Sequence, residues 1–327
     1  MIRSPIAAMI IALSITGPAL ARDTVCLQSA GCRGEITMSS GGTVKFYRSL
    51  PLVRNDSVQR VVLIIHGNKR DADHYFDSAV SVARIEHRLG DVLVLAPAFP
   101  TPRDHPAPGD HYWSSGGWKM GNRSLDAKRI SSFSVIDELL ALLCPVEPGL
   151  FPHISTVVII GHSAGAQFVG RYAAGGRGCA SRSVEVRYVV MNPSSYLYLD
   201  GRRKSSSTGR FGFPDAGCRR YDDYKYGLRK LNAYLKRVGD ERISAQLFAR
   251  RTYFVAGDAD TRTDSSLDTR CEARVQGPNR LARFLNYREY SLLFPDWSGS
   301  EFITVPGIGH DGRAMLLSDA VRRITYH

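Results

Sequence analysis
Val157-Val158-Ile159-Ile160-Gly161-His162-Ser163-Ala164-Gly165 decides how this chain is read: a β-branched apolar run enters a Gly-x-Ser-x-Gly turn, and a helix of small residues follows. A serine hydroxyl is a poor nucleophile. Chemistry at Ser163 therefore needs an open position, a base within reach and backbone N–H groups that can hold an oxyanion. A sharp strand-to-helix turn supplies the first and the last of these, and Gly161 and Gly165 permit it. Gly165, Ala166, Gly170 and Ala173 then let the helix from Ala164 to Ala174 lie close on its strand.

Apolar, β-branched runs recur on both sides of this element, at Val61–Ile65, Val92–Ala96, Thr156–Ile160, Val184–Met191, Thr252–Ala256 and Phe302–Val305. Their apolar residues are continuous rather than alternating, which suits strands covered on both faces. Helical spacing fills the gaps. Ala72 to Leu89 carries one apolar stripe closed by Gly90, and Phe133, Ile136, Leu139, Leu140 and Leu143 form another behind Ser131 and Ser132, stopped at Pro145. Strand and helix in alternation predict an α/β fold, a mostly parallel, doubly wound sheet. Two stretches break the rhythm. Residues 194–249 are rich in Tyr, Arg, Gly and Ser with one helix candidate near Leu228–Val238, and read as a cap-like insertion over the carboxyl edge of the sheet. The loop from Phe99 to Arg123 carries Trp113 and Trp118 among glycines, which reads as an aromatic substrate platform or as core.

Residues 1–21 place Arg3 ahead of an apolar segment, Ile6 to Ile15, and end in Ala19-Leu20-Ala21, the pattern of a cleaved secretion signal. The expected mature chain is one catalytic domain, 22–327, exported to the periplasm or the medium and without a membrane span. Six cysteines suit disulfides in that compartment, with the pairing 26–32, 144–179 and 218–271 expected, since Cys144 and Cys179 should end two helices on one side of the sheet. None has zinc or redox spacing, so a metal-free and cofactor-free reaction is expected. The formal charge is +12, and eleven Lys and Arg against three Asp between Gly201 and Arg237 mark a solvated basic face or a site for an anionic partner. No nucleic-acid-binding module is recognisable.

Two further loops sit just past strand ends. Gly307-Ile308-Gly309-His310-Asp311-Gly312 follows the last run, and Gly257-Asp258-Ala259-Asp260 follows the one before. A histidine in a glycine-rich loop can bring Nε2 to a serine oxygen while a carboxylate holds its Nδ1, which assigns Ser163, His310 and Asp260. Asp258, Asp264 and Asp268 are the alternative acids. The oxyanion donors are expected at the backbone N–H groups of Ala164 and Asn68, the latter in the His66-Gly67-Asn68-Lys69 loop.

With these residues in place the chain resembles the α/β-hydrolases from about Val61 to His327: a strand followed by His-Gly, a Gly-His-Ser-Ala-Gly elbow, and the order Ser163, Asp260, His310. Asn192-Pro193-Ser194-Ser195-Tyr196, Tyr224-Lys225-Tyr226-Gly227 and Gln276-Gly277-Pro278-Asn279-Arg280 are similar to segments of a poorly characterised group of secreted hydrolases. In overall plan the chain is similar to secreted polyester depolymerases and to feruloyl and acetylxylan esterases, and it departs from many of them in carrying Asn68-Lys69-Arg70 after His66-Gly67. The resemblance implies a serine esterase working through an acyl-enzyme. A peptidase or amidase of the same fold, or a silent polyanion-binding module, are the alternatives.

Overall fold
The computed structural model describes residues 25–327 apart from 148, 215 and 216, together with the backbone of a two-residue strand at Ile15–Thr16. The expected secretion signal at 1–21 otherwise lies outside the described residues. Eight strands of five to seven residues follow among them: β1 (Arg33–Thr37), β2 (Thr43–Arg48), β3 (Arg60–Ile65), β4 (Val92–Pro97), β5 (Thr156–His162), β6 (Glu185–Met191), β7 (Thr252–Gly257) and β8 (Ser300–Val305), besides a two-stranded ribbon of Arg203–Lys204 and Phe211–Gly212. The eight form one sheet in the order β1-β2-β4-β3-β5-β6-β7-β8, with Ile15–Thr16 beside β1. From β4 to β8 all neighbours run parallel, and β2 is antiparallel to both β1 and β4. This is the mostly parallel, doubly wound architecture expected.

Two apolar clusters explain why the central strands read as continuous runs. Val61, Leu63 and Ile65 of β3 face one cluster with α2 (Ser132–Leu143) and α3 (Ala164–Gly175), whereas Val62 and Ile64 face the other with α1 (Ala72–Ile85). Successive side chains of a strand point to opposite faces, so a strand sandwiched between helical layers must be apolar at every position. β1 and β2 escaped the sequence reading for the converse reason: exposed and buried positions mix along both, and neither forms an apolar run.

Six helices of the second half follow. α4 (Ala233–Val238) and α5 (Asp240–Ala249) fall within the stretch read as insertion, but Ile243 and Leu247 of α5 join the larger apolar cluster, so that helix is part of the fold's wall. The portion without regular layers is the segment before Asn232. α6 (Cys271–Arg274) is one turn, α7 (Arg280–Ser291) packs on the side of α3, and α8 (Gly312–Leu317) and α9 (Asp319–Tyr326) close the opposite side. The first helix ends at Ile85, with His87 rather than Gly90 in the left-handed conformation that stops it.

Disulfides join Cys26 to Cys32, Cys144 to Cys179 and Cys218 to Cys271, the pairing expected from the sequence. Cys144 directly follows α2 and Cys179 follows α3, so the second bridge ties two helices of one layer. The third staples the irregular segment to α6 beside the carboxyl edge of the sheet.

Candidate active site
At the end of β5 the chain turns into α3 through Ser163, whose φ of 57° and ψ of −112° lie where a side chain is strained. Backbone packing forces the turn. A Cβ on Gly161 would stand 2.5 Å from the carbonyl carbon of Gly165, and one on Gly165 would stand 2.2 Å from the carbonyl oxygen of Ile65. Both glycines are therefore needed for α3 to touch β3 and β5. Ser163 opens α3, and the first N–H groups of a helix have no partner within it, so the Ala164 N–H is available at the nucleophile's side.

Residues from three distant loops meet there. The Ser163 Oγ lies 2.9 Å from His310 Nε2, and His310 Nδ1 lies 2.7 Å from Asp260 Oδ2. Burial by itself raises the Asp260 carboxyl, but the hydrogen bond and charge of His310, the Asn192 amide and the Arg280 guanidinium outweigh it and hold Asp260 below the ordinary carboxylate range. An ionised carboxylate only accepts, so the imidazole proton sits on Nδ1 and the Nε2 lone pair faces the serine hydroxyl. The other acids are engaged elsewhere: Asp258 accepts from the Gly307 N–H at 2.7 Å, Asp264 pairs with Arg280 at 3.1 Å, and Asp268 pairs with Lys225 at 2.8 Å.

Asn192 and Arg280 carry no role in the sequence reading, and both hold the acid. Asn192 Nδ2 donates to Asp260 Oδ2 at 2.6 Å from a left-handed position, φ 51°, at the end of β6. Arg280 is 1 % exposed and sets Nη1 3.4 Å from Asp260 Oδ1 and 3.1 Å from Asp264 Oδ2, so the buried carboxylate shares one cation with a neighbour. The only sequence signal for either was its place in an unusual turn, Asn192-Pro193-Ser194-Ser195 and Gly277-Pro278-Asn279-Arg280.

The loop after β3 faces the elbow and is held from below by His66. The Phe99 N–H donates to His66 Nε2 at 3.0 Å, so Nδ1 carries the proton and donates to the Gly67 carbonyl at 2.9 Å. Burial is the main reason this imidazole stays neutral, its pKa lowered to about 4. Arg70 clamps the same loop from outside, donating to Asp104 at 2.6 Å and to the Asn68 carbonyl at 2.8 Å. Arg70 thus helps to fix the shape of this loop. His162 is also buried and neutral, its pKa lowered to about 3 by burial and then by His310, whose ring lies 4.5 Å away.

A cleft of about 560 Å³ opens over Ser163, bounded by Asn68, Lys119, Gln167, Tyr224, Lys225 and Arg270. The aromatic platform expected at Trp113 and Trp118 is corrected: both side chains are fully buried, packed with Phe99, Phe168 and His66, and offer no face to this cleft. Their glycine-rich surroundings suggested a surface loop, but the loop folds inward over the sheet. Tyr224 and Tyr226 are the aromatic residues that line the cleft among the described residues. Within the basic stretch between Gly201 and Arg237, Arg202, Arg203, Lys204, Lys225 and Lys230 are paired to Asp200, Asp222, Glu289, Asp268 and Asp223.

Sheet order, elbow and site together define this as an α/β-hydrolase fold. It is similar to the crystal structure of a poly(3-hydroxybutyrate) depolymerase from Bordetella parapertussis, at 22 % identity and a TM-score of 0.60 over 91 % of this chain and 92 % of that one. A poly(aspartic acid) hydrolase from Sphingomonas sp. KT-1 is similar to the same degree, at 21 % identity and a TM-score of 0.59 over 87 % of this chain and 94 % of that one. No protein-family model matches the sequence, and no curated protein matches it.

Proposed function
We propose that this protein is a serine hydrolase that cleaves carboxylic esters through an acyl-enzyme. One observation carries the reading: an unbroken run of hydrogen bonds from Ser163 Oγ through His310 to Asp260, built on a backbone strained at the serine. Strain of that kind persists only where the surrounding structure holds it in place, and it presents the oxygen above the helix N-terminus.

His310 removes the Ser163 proton as Oγ attacks the ester carbonyl. The tetrahedral oxyanion is held by the Ala164 and Asn68 N–H groups. His310 then passes its proton to the departing alkoxide, and the C–O bond breaks, leaving the acyl group on Ser163. Water, deprotonated by His310, attacks that acyl group, and the acid leaves as Ser163 recovers its proton. Asp260 stabilises the imidazolium in both halves, with Asn192 and Arg280 as positioning residues. The three disulfides support export to an oxidising compartment.

A fluorophosphonate probe should label Ser163 in the wild-type protein, and Ser163→Ala should lower p-nitrophenyl ester turnover by roughly 10⁴–10⁶ without changing the melting temperature. An unlabelled Ser163, or turnover of an aminoacyl anilide but of no ester, would remove the reading.

A further inference from the structure
Lys119 stands out among the cations of the cleft. Its Nζ donates to Asn68 Oδ1 at 3.2 Å, and no carboxylate lies within ion-pair distance of it among the described residues. Its place is firmly set. Trp118, fully buried, anchors one side, with its carbonyl accepting from Ser132 Oγ at 2.6 Å, and the Met120 carbonyl on the other side accepts from Tyr224 Oη at 2.5 Å and Asn232 Nδ2 at 2.6 Å. A mobile surface lysine would have no such frame.

Nearby charge makes the missing counter-ion more conspicuous. Arg171, Arg270 and Arg70 act on Lys119 with positive charge, and the main negative charge acting on it is Asp268; Asp223 and Glu272 also line the cleft, beyond ion-pair distance of Lys119. Asp268 already accepts from Lys225 at 2.8 Å, from Tyr226 Oη at 2.7 Å and twice from Arg270, at 3.0 and 2.8 Å. Its oxygens are occupied, so it leaves Lys119 uncompensated. Burial, and then Arg171, depress the Lys119 ammonium to about 8. A cation kept in such a place gains most from an anion delivered by a ligand.

We propose that Lys119 is the anion-recognising residue of this cleft, and that the esters cleaved there carry a carboxylate, in the acyl or the alcohol half, within reach of its ammonium. The proposal rests on the ester-hydrolase reading of Ser163, which lines the same cleft. It also gives the lysine's bond to Asn68 a use: the residue that binds the substrate's charge steadies the loop expected to hold the oxyanion. The rest of the wall suits a polar ligand, since Ser115, Gln167, Ser194 and Ser266 contribute to it.

Two matched substrate pairs test this. Monomethyl adipate against dimethyl adipate places the charge in the acyl half, followed by methanol release. 3-Acetoxybutyrate against 3-acetoxybutyramide places it in the alcohol half, followed by acetate release. The charged member of one pair should be preferred by about 10- to 100-fold in kcat/KM, the usual reach of a charge-assisted hydrogen bond, and that pair identifies the half. In Lys119→Met the preference should collapse toward one, and Lys119→Arg should restore part of it. Equal rates within both pairs, with Ser163 labelled and active, overturn the proposal alone. An equal fall for charged and neutral substrates in Lys119→Met also overturns it, because loop support without recognition moves both members together. No turnover of any of the four compounds and no labelling of Ser163 overturn the hydrolase reading and the proposal with it.

Discussion

Gly165→Ala puts the elbow itself under test. The new methyl would lie 2.2 Å from the Ile65 carbonyl oxygen and 2.7 Å from that of His66, against the 3.0 Å below which real Cβ contacts essentially never fall. At least 0.8 Å of movement must follow, and the obstacles are backbone atoms that cannot swing aside. Either the start of α3 lifts off and carries Ser163 with it, or the end of β3 retreats and takes the Gly67-Asn68 loop along. Both separate the serine oxygen from one side of its oxyanion donors. Overpacking of this kind costs about 1–3 kcal/mol, and a displacement near 1 Å at a reacting centre costs about 10²-fold in rate. Gly165→Ala should therefore lose about two orders of magnitude in kcat/KM for p-nitrophenyl acetate and roughly 2–5 °C in melting temperature. Gly90→Ala is the control, since nothing lies within 4 Å of a Cβ there. Wild-type activity and melting temperature in Gly165→Ala would refute the backbone-on-backbone packing on which the placement of Ser163 depends.

The buried histidines set an acid limit on stability. His66 and His162 stay neutral in the fold, with pKa values lowered to about 4 and about 3, whereas each takes up a proton in the unfolded chain near 6.5. Below that value the unfolded state binds more protons, so stability is fully present above pH 6.5 and falls by about 1.4 kcal/mol per pH unit for each histidine down to its folded value; denaturant midpoints between pH 4.5 and 7.5 should show the slope, and His66→Gln should roughly halve it, leaving the His162 share. For the tryptophans, Trp118→Ala should cost about 3–5 kcal/mol in urea unfolding as a core truncation. A loss of substrate affinity with unchanged stability would restore Trp118 to the cleft.

Much of the fold was legible because its signals are local. Strands covered on both faces must be apolar throughout, a strand-to-helix turn that exposes a serine requires small residues on either side, and Ser163, Asp260 and His310 each follow a strand that the sequence marks. Sequence position therefore determined the alternation of strand and helix, the nucleophile and the two loops that could meet it. Contacts across long separations were decided by the tertiary structure. Loop position already favoured Asp260 among four acids in or beyond one loop, and the fold sets that carboxylate against His310, 50 residues further on, while the other three are engaged elsewhere. Asn192 and Arg280 look like turn residues until the carboxylate they hold is in place. Trp113 and Trp118 have the composition of a platform and the packing of a core, because a ring's burial depends on which neighbours fold over it. Lys119 carries no role in the sequence reading. Its missing counter-ion appears only when the chain is closed, since local sequence specifies what a side chain is and the fold specifies what stands opposite it.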